Sequence, residues 1–264
     1  CRLCKKDVRV VILSNKLELK SSSEIEKMRI ACKAVADILE SLKSFIKPGI
    51  TTKDIDTEVL KKIRSFNMKP AFLGYGGFPA SACVSINNEL VHGIPNDSRV
   101  LSSGDIVSVD VGTIYDGYYG DAAYTYPVGK ISDSTKKLLQ VTEDSLYLAI
   151  EQVKPGNRLG DVSYAVQKYV EGLGYSVVRD YCGHGIGRNL HEEPSVPNFG
   201  KNGTGVKLEE GLVIAIEPMV NAGRYHVDVL SNEWTVVTRD GSLCAHYEHT
   251  VLVTKNGYEI LTKI

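Results

Sequence analysis

The sequence predicts a fold that contains both helices and strands, in the α/β (α+β) class, and that is built from two similar halves. Patterns typical of helices precede patterns typical of strands, and this order occurs twice along the chain. Two helix stops, Pro48-Gly49 and Pro155-Gly156, lie 107 residues apart. The same offset relates Asp110 to Glu217, and each acid stands in an apolar segment that favours a strand. The repeat indicates a duplicated half-domain that delivers one carboxylate from each half.

We predict a single domain over residues 23–264, preceded by a short extension of residues 1–22 in which Val8–Leu13 has the character of a strand or of a surface-packed segment. The half-repeats span about residues 23–130 and 131–264. In a pseudo-two-fold arrangement the two acids would lie near the central axis, where the halves meet and pockets tend to form.

Composition and charge exclude several classes of protein. The 264 residues are 43% hydrophobic and 24% charged, with a net charge of −1, so we expect no attraction to nucleic acid or anionic membranes. No apolar run reaches the roughly 20 residues of a membrane span, and no signal peptide is visible. The six cysteines suggest no disulfide framework, which favours a reducing, cytoplasmic location. Cys1 and Cys4 are interpreted as an incidental pair, because no second Cys or His pair follows nearby.

The first half begins with two helices. Ser23 and Glu26 have the spacing of a capping box, and apolar residues recur every three or four positions until Pro48-Gly49 ends the helix. A second helix begins near Thr52. The elements predicted next are a glycine- and aromatic-rich loop at 70–80 and strands at about Ala82–Ile86 and Glu89–His92.

A β-hairpin closes the first half and carries two acids. Asp116-Gly117 is a strong signal for a hairpin turn. If these residues form the turn, the numbers of opposed residues add up to 233, so Asp121 faces Gly112. Asp110 then shares a face with Asp121, diagonally across the ladder. The pair indicates either two exposed acids on a solvated hairpin or two inward carboxylates compensated by a cation.

The second half repeats the order of the first. The predicted elements are helices at 134–153 and 159–173, a glycine-rich segment at 182–187, and strands at about 211–220, 233–238 and 243–254. Glu217 falls within the first of these strands and Glu248 within the last.

These elements bring together a candidate set of metal ligands: Asp110, Asp121, His184, Glu217 and Glu248. Four converging carboxylates would repel one another by several kcal/mol, and two divalent ions would neutralise their charge. Oxygen ligands with a single imidazole suit Mn, Fe, Co or Zn. Two such metals, held roughly 3.5–4 Å apart, are a known means of activating water for hydrolysis.

The motifs around these residues resemble those of the type I methionine aminopeptidases, from about Ser23 to the C-terminus. They are Val-Ser-Val-Asp110-Val-Gly, Gly-Tyr-Tyr-Gly-Asp121, Tyr-Cys-Gly-His184-Gly-Ile-Gly, His191-Glu-Glu-Pro, Ile-Glu217-Pro-Met and Tyr-Glu248-His-Thr. The resemblance implies the pita-bread fold, in which two pseudo-symmetric halves share a central curved antiparallel sheet covered by helices. It also implies removal of the initiator methionine from nascent proteins, with preference for a small second residue.

The resemblance assigns roles to individual residues. The five candidate ligands would hold two divalent metals, with Asp121 and Glu248 bridging, and the bridging hydroxide would attack the first peptide bond. Glu217 resembles the general acid/base, His191 the histidine that hydrogen-bonds the scissile carbonyl, and His92 a histidine that contacts the substrate backbone. Three other histidines lack motif support and are predicted to be structural: His226, His246 and His249.

A pocket for the methionine side chain is implied in the same way. The residues that match its lining are Tyr75, Phe78, Cys83 and Trp234, with Phe72 and Leu190 as further candidates. The alternative for each is packing on the core.

Two positions depart from the family pattern. A monovalent-ion loop of the family resembles Asn87–Glu89, but Cys244 stands where a serine hydroxyl often completes it, and a thiol is a poor ligand for Na⁺ or K⁺. Ala122-Ala123 follows Asp121 where a hydroxyl often supports the ligand, so that support is expected to differ.

The predicted partners are peptide and nascent-chain substrates, with transient contact to the ribosome, no specific nucleic acid and no membrane, and the protein is predicted to be a monomer. One alternative is an Xaa-Pro peptidase of the same fold, but those enzymes usually carry an added N-terminal domain. Another is a non-catalytic pita-bread protein that binds RNA or the ribosome, but such proteins are expected to lose metal ligands.

Overall fold

The computed structural model of the protein describes residues 17–263. The predicted segment Val8–Leu13 and the pair Cys1 and Cys4 lie outside the described residues. Within them, every helix is too short or too polar to cross a membrane.

The described residues contain four α-helices: α1 Ser22–Phe45, α2 Thr52–Ser65, α3 Asp133–Ile150 and α4 Leu159–Gly172. All four helix predictions are confirmed, with ends shifted by a few residues. The apolar faces of α1 and α2 bury their regularly spaced side chains completely, for example Ile55, Val59 and Ile63 at 0% exposure.

The capping residue of α1 differs from the prediction. The backbone N–H and the hydroxyl of Ser21, rather than those of Ser23, donate to Glu24 Oε2 at 2.9 and 2.7 Å. Both serines have an acid three positions later, so spacing alone does not decide between them. The hydroxyl of Tyr118 also donates to Glu24, at 2.7 Å, and this tertiary contact fixes the acid near Ser21.

Strands form four sheets in the described chain, and all of their pairings are antiparallel. The strands are β1 Lys69–Pro70, β2 Ala82–Ile86, β3 Glu89–Val91, β4 Ile106–Tyr115, β5 Tyr118–Pro127, β6 Ser176–Val177, β7 Gly183–Gly185, β8 Glu192–Val196, β9 Val213–Ile216, β10 Met219–Asn221, β11 Val227–Val229, β12 Val236–Thr238, β13 Cys244–His246, β14 His249–Thr254 and β15 Gly257–Ile260. The two larger sheets have the orders β1-β4-β2, with β5 on β4, and β15-β14-β9-β7-β8.

The repeat of 107 residues is visible in the backbone. Isolated bridges join Thr51 to Val100 and Arg158 to Lys207, so each residue of the second bridge lies 107 positions after its counterpart in the first. In both halves the first bridge residue also precedes a helix, and its N–H donates to an aspartate three positions later at 2.7 Å. These equivalences support the division into half-repeats, which stays a prediction.

The β4–β5 hairpin has the predicted register. Gly112 pairs with Asp121 and Asp110 pairs with Ala123, without a bulge along the ladder. Asp110 and Asp121 therefore lie on one face, diagonally opposed. Both side chains are buried or nearly so, and this excludes the interpretation of two exposed acids.

The predicted strands around Glu217 and Glu248 are each interrupted. The first breaks at Glu217-Pro218, between β9 and β10, and the second at Tyr247-Glu248, between β13 and β14. Pro218 has no N–H to donate to a ladder, and the N–H of Glu248 donates instead to the carbonyl oxygen of Ala123 in β5, at 2.9 Å. The prediction that these acids lie inside continuous strands is wrong, because the chain leaves the ladder at Pro218 in one case and bonds to the first half at Glu248 in the other.

The two halves meet along β5, β13 and β14. The hydroxyl of Thr250 donates to the carbonyl oxygen of Asp121 at 2.7 Å, and that of Thr125 donates to the carbonyl oxygen of His246 at 2.7 Å. The first-half and second-half apolar clusters lie on either side of this junction. Backbone and hydroxyl groups thus fix the acids of one half relative to those of the other.

Close packing of α1 on β5 gives a test of this arrangement. A Cβ added to Gly120 would lie 2.6 Å from the N atom of Cys32 and 2.8 Å from the carbonyl carbon of Ala31, both backbone atoms of α1. We expect Gly120→Ala to lower the free energy of unfolding by about 1–3 kcal/mol, measured by urea denaturation. The matched control is Gly172→Ala in α4, where nothing lies within 4 Å. Equal stability of the two variants would contradict the contact.

Candidate metal centre

A cavity of about 570 Å³, open to solvent, lies at the junction of the halves. Its lining residues are Phe72, Tyr75, Phe78, Cys83, Val91, His92, Asp110, Asp121, Tyr181, Cys182, His184, Leu190, His191, Glu217, Met219 and Glu248. All five candidate metal ligands therefore border one space.

Different elements deliver these five side chains. Asp110 and Asp121 come from β4 and β5 of the first half, and His184 comes from β7 of the second. Glu217 and Glu248 come from the two strand breaks. Ligand atoms of Asp121, His184 and Glu248 lie within 4.8 Å of one another. The imidazole Nε2 of His184 also lies 3.8 Å from Glu217 Oε1.

Burial dominates the electrostatics of the four carboxyl groups. It raises the pKa of Asp110 and of Glu217 to about 7, and it raises the pKa of Asp121 and of Glu248 well above the ordinary value. Repulsion between these groups adds to the shift for Asp121 and Glu248. The lining residues include no lysine and no arginine. The cluster therefore lacks a compensating cation among the side chains that line it.

Unpartnered oxygens show that the cluster fits a metal. One oxygen each of Asp110, Asp121 and Glu248 is buried without a hydrogen-bond partner among the described residues. Buried polar atoms are rarely left in this state. Carboxylate oxygens with one imidazole are a donor set for divalent transition metals, so divalent ions would satisfy both the charge and the free oxygens.

The tautomer of His184 also fits a metal. Its Nδ1 lies 2.9 Å from the carbonyl oxygen of Gly185, and since a carbonyl only accepts, Nδ1 carries the proton. Burial lowers the pKa of His184, which favours the neutral ring. The lone pair of Nε2 then faces Asp121 Oδ2, at 4.0 Å, as in metal-binding histidines held by a backbone carbonyl.

Two further histidines line the cavity at its rim. The hydroxyl of Tyr75 lies 2.8 Å from His191 Nδ1, and the ring of His191 packs edge-on against that of His184, with centroids 4.3 Å apart. Burial lowers the pKa of His191 to about 2 and that of His92 to about 3, so both rings are neutral. His92 has a φ of 58°, a conformation uncommon for a residue with a side chain.

Apolar side chains line the same cavity as these polar groups, and we call them the apolar wall. Its members among the predicted pocket residues are Phe72, Tyr75, Phe78, Cys83 and Leu190. Trp234 does not line the cavity itself. Its ring packs edge-to-face on Phe78, with centroids 5.2 Å apart, and so supports the wall.

Four residues that line the cavity were not predicted from the sequence, namely Val91, Tyr181, Cys182 and Met219. Tyr181 and Cys182 directly precede Gly183-His184, and Met219 follows Glu217 by two positions, so proximity to a ligand was the available signal. His246, predicted to be structural, has its Nε2 only 3.4 Å from Glu217 Oε2. His226 stacks on Tyr225 and His249 contacts Thr262, both away from the lining residues.

Two departures from the family pattern have local explanations. The thiol of Cys244 donates to the carbonyl oxygen of Asn87 at 3.3 Å, which occupies an oxygen of the predicted monovalent-ion loop. Burial raises the pKa of this thiol and keeps it protonated. Support for Asp121 comes from the Thr250 hydroxyl of the other half, which contacts its main-chain oxygen and nitrogen.

Comparisons with known proteins agree with this site. The model of Metallopeptidase family M24 matches residues 26–255. The methionine aminopeptidase of Clostridium acetobutylicum is 54% identical over 244 residues, which are 92% of this chain and 98% of the relative. Methionine aminopeptidase 1 of Bacillus subtilis is 53% identical over 93% of this chain and 98% of the relative.

Solved structures give the same result and confirm the predicted pita-bread fold. The crystal structure of methionine aminopeptidase from Thermotoga maritima has a TM-score of 0.93 and 53% identity, and covers 94% of this chain and 100% of that one. The prolidase from Pyrococcus furiosus, at 24% identity and a TM-score of 0.75, shares the fold over 99% of this chain and 67% of its own. The protein therefore belongs to metallopeptidase family M24, among the methionine aminopeptidases.

Proposed function

We propose that the protein is a metal-dependent aminopeptidase that removes the N-terminal methionine from peptides and nascent proteins, with preference for a small second residue. The observation that carries this proposal is the cluster of four carboxyl groups, two buried and two partly buried, with one neutral imidazole, in a cavity that apolar side chains also line. The substrate class is inferred from the relatives, which are named methionine aminopeptidases.

The candidate ligands would hold two divalent ions from the group Mn, Fe, Co and Zn: Asp110, Asp121, His184, Glu217 and Glu248. Four carboxylates carry four negative charges, which two divalent ions balance. When bound, such ions would supply Lewis-acid polarisation of the peptide carbonyl and activation of water.

Glu217 is suited to move the proton. In the metal-free protein, burial raises the pKa of this carboxyl to about 7. With the ions bound, a carboxylate beside the attacking water would accept its proton and return it to the leaving amine. Its Oε1 faces the ligand cluster, whereas Oε2 faces His246.

His191 would donate to the peptide carbonyl as negative charge develops on the oxygen. The ring is neutral because burial lowers its pKa to about 2. A neutral imidazole that accepts the Tyr75 hydroxyl proton at Nδ1 carries its own proton on Nε2. Tyr75 thereby makes His191 a donor towards the cavity that both residues line.

The apolar wall of the cavity would orient the substrate. Phe78 and Cys83, both buried, with Leu190, offer an apolar surface to an unbranched side chain such as methionine. His92 borders the same cavity and would contact the substrate backbone.

The cellular setting is part of the proposal. A nascent-chain substrate implies a cytoplasmic enzyme, active as a monomer, that contacts the ribosome transiently. The cysteines of the described residues are all free thiols, which is compatible with a reducing compartment.

Peptide hydrolysis tests the proposal directly. We expect release of methionine from Met-Ala-Ser, abolished by EDTA and restored by Mn²⁺ or Co²⁺, and no cleavage of an Ala-Pro peptide. Cleavage of the Ala-Pro peptide in preference would identify an Xaa-Pro peptidase. Release of methionine that is indifferent to chelation would contradict the assigned metal centre.

The effect of metal on stability should depend on pH. In the metal-free protein, burial raises the pKa of Asp110 and Glu217 from 3.8 and 4.5 to about 7. The stability these protonated groups contribute is complete below their unfolded pKa values and is lost as pH rises from about 4 through 7. Divalent ions bind the deprotonated form, so we expect saturating Mn²⁺ to raise Tm more at pH 8 than at pH 5.5. An equal gain at both pH values in a thermal melt would argue against these carboxyls as ligands.

The contact between Tyr75 and His191 predicts a graded loss of activity. His191→Ala should lower kcat by roughly 100-fold, as removal of an oxyanion donor does. Tyr75→Phe keeps the aromatic wall but removes one hydrogen bond, so kcat should fall by about 3- to 10-fold with little change in KM. Steady-state kinetics on Met-Ala-Ser measure both. A Tyr75→Phe enzyme with unchanged kcat would show that the hydroxyl does not orient His191.

A further inference from the structure

His246 is a buried histidine that has no role in the proposed mechanism. Its side chain is 2% exposed, and its Nε2 is buried without a hydrogen-bond partner among the described residues. It does not line the cavity. It lies behind the cavity floor, where Nε2 is 3.4 Å from Glu217 Oε2.

The two oxygens of Glu217 therefore have different neighbours. Oε1 lies 3.8 Å from Nε2 of His184, on the side of the ligand cluster. Oε2 lies on the side of His246. A carboxylate that binds a cation is acceptor-only, and an unprotonated Nε2 would place two lone pairs against each other. The favourable arrangement has the proton on Nε2 of His246.

The backbone of His246 is held tightly in place. Its N–H donates to the hydroxyl oxygen of Thr125 at 3.0 Å, and its carbonyl oxygen accepts from that hydroxyl at 2.7 Å. Thr125 in turn contacts the hydroxyl of Ser108 at 2.8 Å. The ring thus projects towards Glu217 from a strand that both halves of the molecule fix.

We propose that His246 is a positioning residue for Glu217, and that its Nε2–H donates to Oε2 when Glu217 binds a cation. This contact holds one oxygen away from the cluster and presents the other, Oε1, to the metal and the reacting water. Its role resembles that of the hydrogen-bonded partners that orient metal ligands elsewhere, whose loss typically costs 10–100-fold in metal affinity or activity. The inference rests on the proposed function for its kinetic consequence but not for its effect on metal binding.

Two variants of His246 distinguish a role in positioning Glu217 from a role in packing alone. His246→Leu fills a similar space without a donor, and His246→Gln retains an N–H donor. His249→Leu is the matched control, because His249 is also a buried strand histidine beside Glu248 but contacts Thr262 and Tyr147 rather than Glu217. The measurements are Mn²⁺ affinity by titration calorimetry, kcat and KM on Met-Ala-Ser, and Tm.

We expect His246→Leu to lower Mn²⁺ affinity or kcat by about 10- to 100-fold with KM changed by less than about 3-fold. His246→Gln should stay within about 3-fold of the parent, and His249→Leu should lower Tm without a comparable loss of Mn²⁺ affinity. The proposal is overturned if His246→Leu matches the parent in both affinity and kcat, or if the Gln variant falls as far as the Leu variant.

A spectroscopic measurement covers the case in which the Leu variant does not fold. In the parent protein loaded with Zn²⁺ and labelled with ¹⁵N-histidine, His246 should be neutral with the proton on Nε2. A proton on Nδ1 instead would overturn the proposal. If the parent binds Mn²⁺ but releases no methionine, the proposed function fails, while the affinity comparison still decides the role of His246.

Discussion

The convergence of four carboxyl groups, two buried and two partly buried, at one junction is the constraint on which the rest of the structure depends. Each group alone would be costly in a low-dielectric interior, and together they repel one another. The carboxyl groups lie in a region where hydroxyl and backbone groups form hydrogen bonds between the halves, joining β5 to β13 and β14. The strand breaks at Glu217 and Glu248 follow from the same requirement, because each acid leaves its ladder to face the common centre.

Two neighbouring imidazoles have different partners at Nδ1. A carbonyl oxygen beside Nδ1 of His184 leaves a lone pair on Nε2. Beside Nδ1 of His191 lies the Tyr75 hydroxyl, which in the proposed mechanism donates and so leaves the proton of His191 on Nε2. Both rings are kept neutral by burial. The proposed metal ligand His184 and the proposed donor His191 thus lie side by side, with ring centroids 4.3 Å apart. Motifs name such histidines, but only the neighbouring atoms distinguish their roles.

Local sequence signals predicted those parts of the molecule that local forces decide. The Asp116-Gly117 turn set the register that brings Asp110 and Asp121 to one face, and helix periodicity identified α1 to α4. The predictions failed where a tertiary contact decided between equal local choices. The choice of Ser21 over Ser23 depends on Tyr118, and the break at Glu248 depends on a bond to Ala123. The contact between His246 and Glu217 was not predicted either, since the two residues are distant in sequence.

The distribution of ligands over both halves has a consequence for biosynthesis. Asp110 and Asp121 leave the ribosome more than one hundred residues before Glu248, so the emerging first half carries two acids that lack their partners. Binding free energy that depends on a complete ligand set becomes available only when the second half has folded onto the first. With the proposed ligand set, metal binding would therefore require the whole fold, and a chain arrested before residue 248 would compete poorly for transition metals.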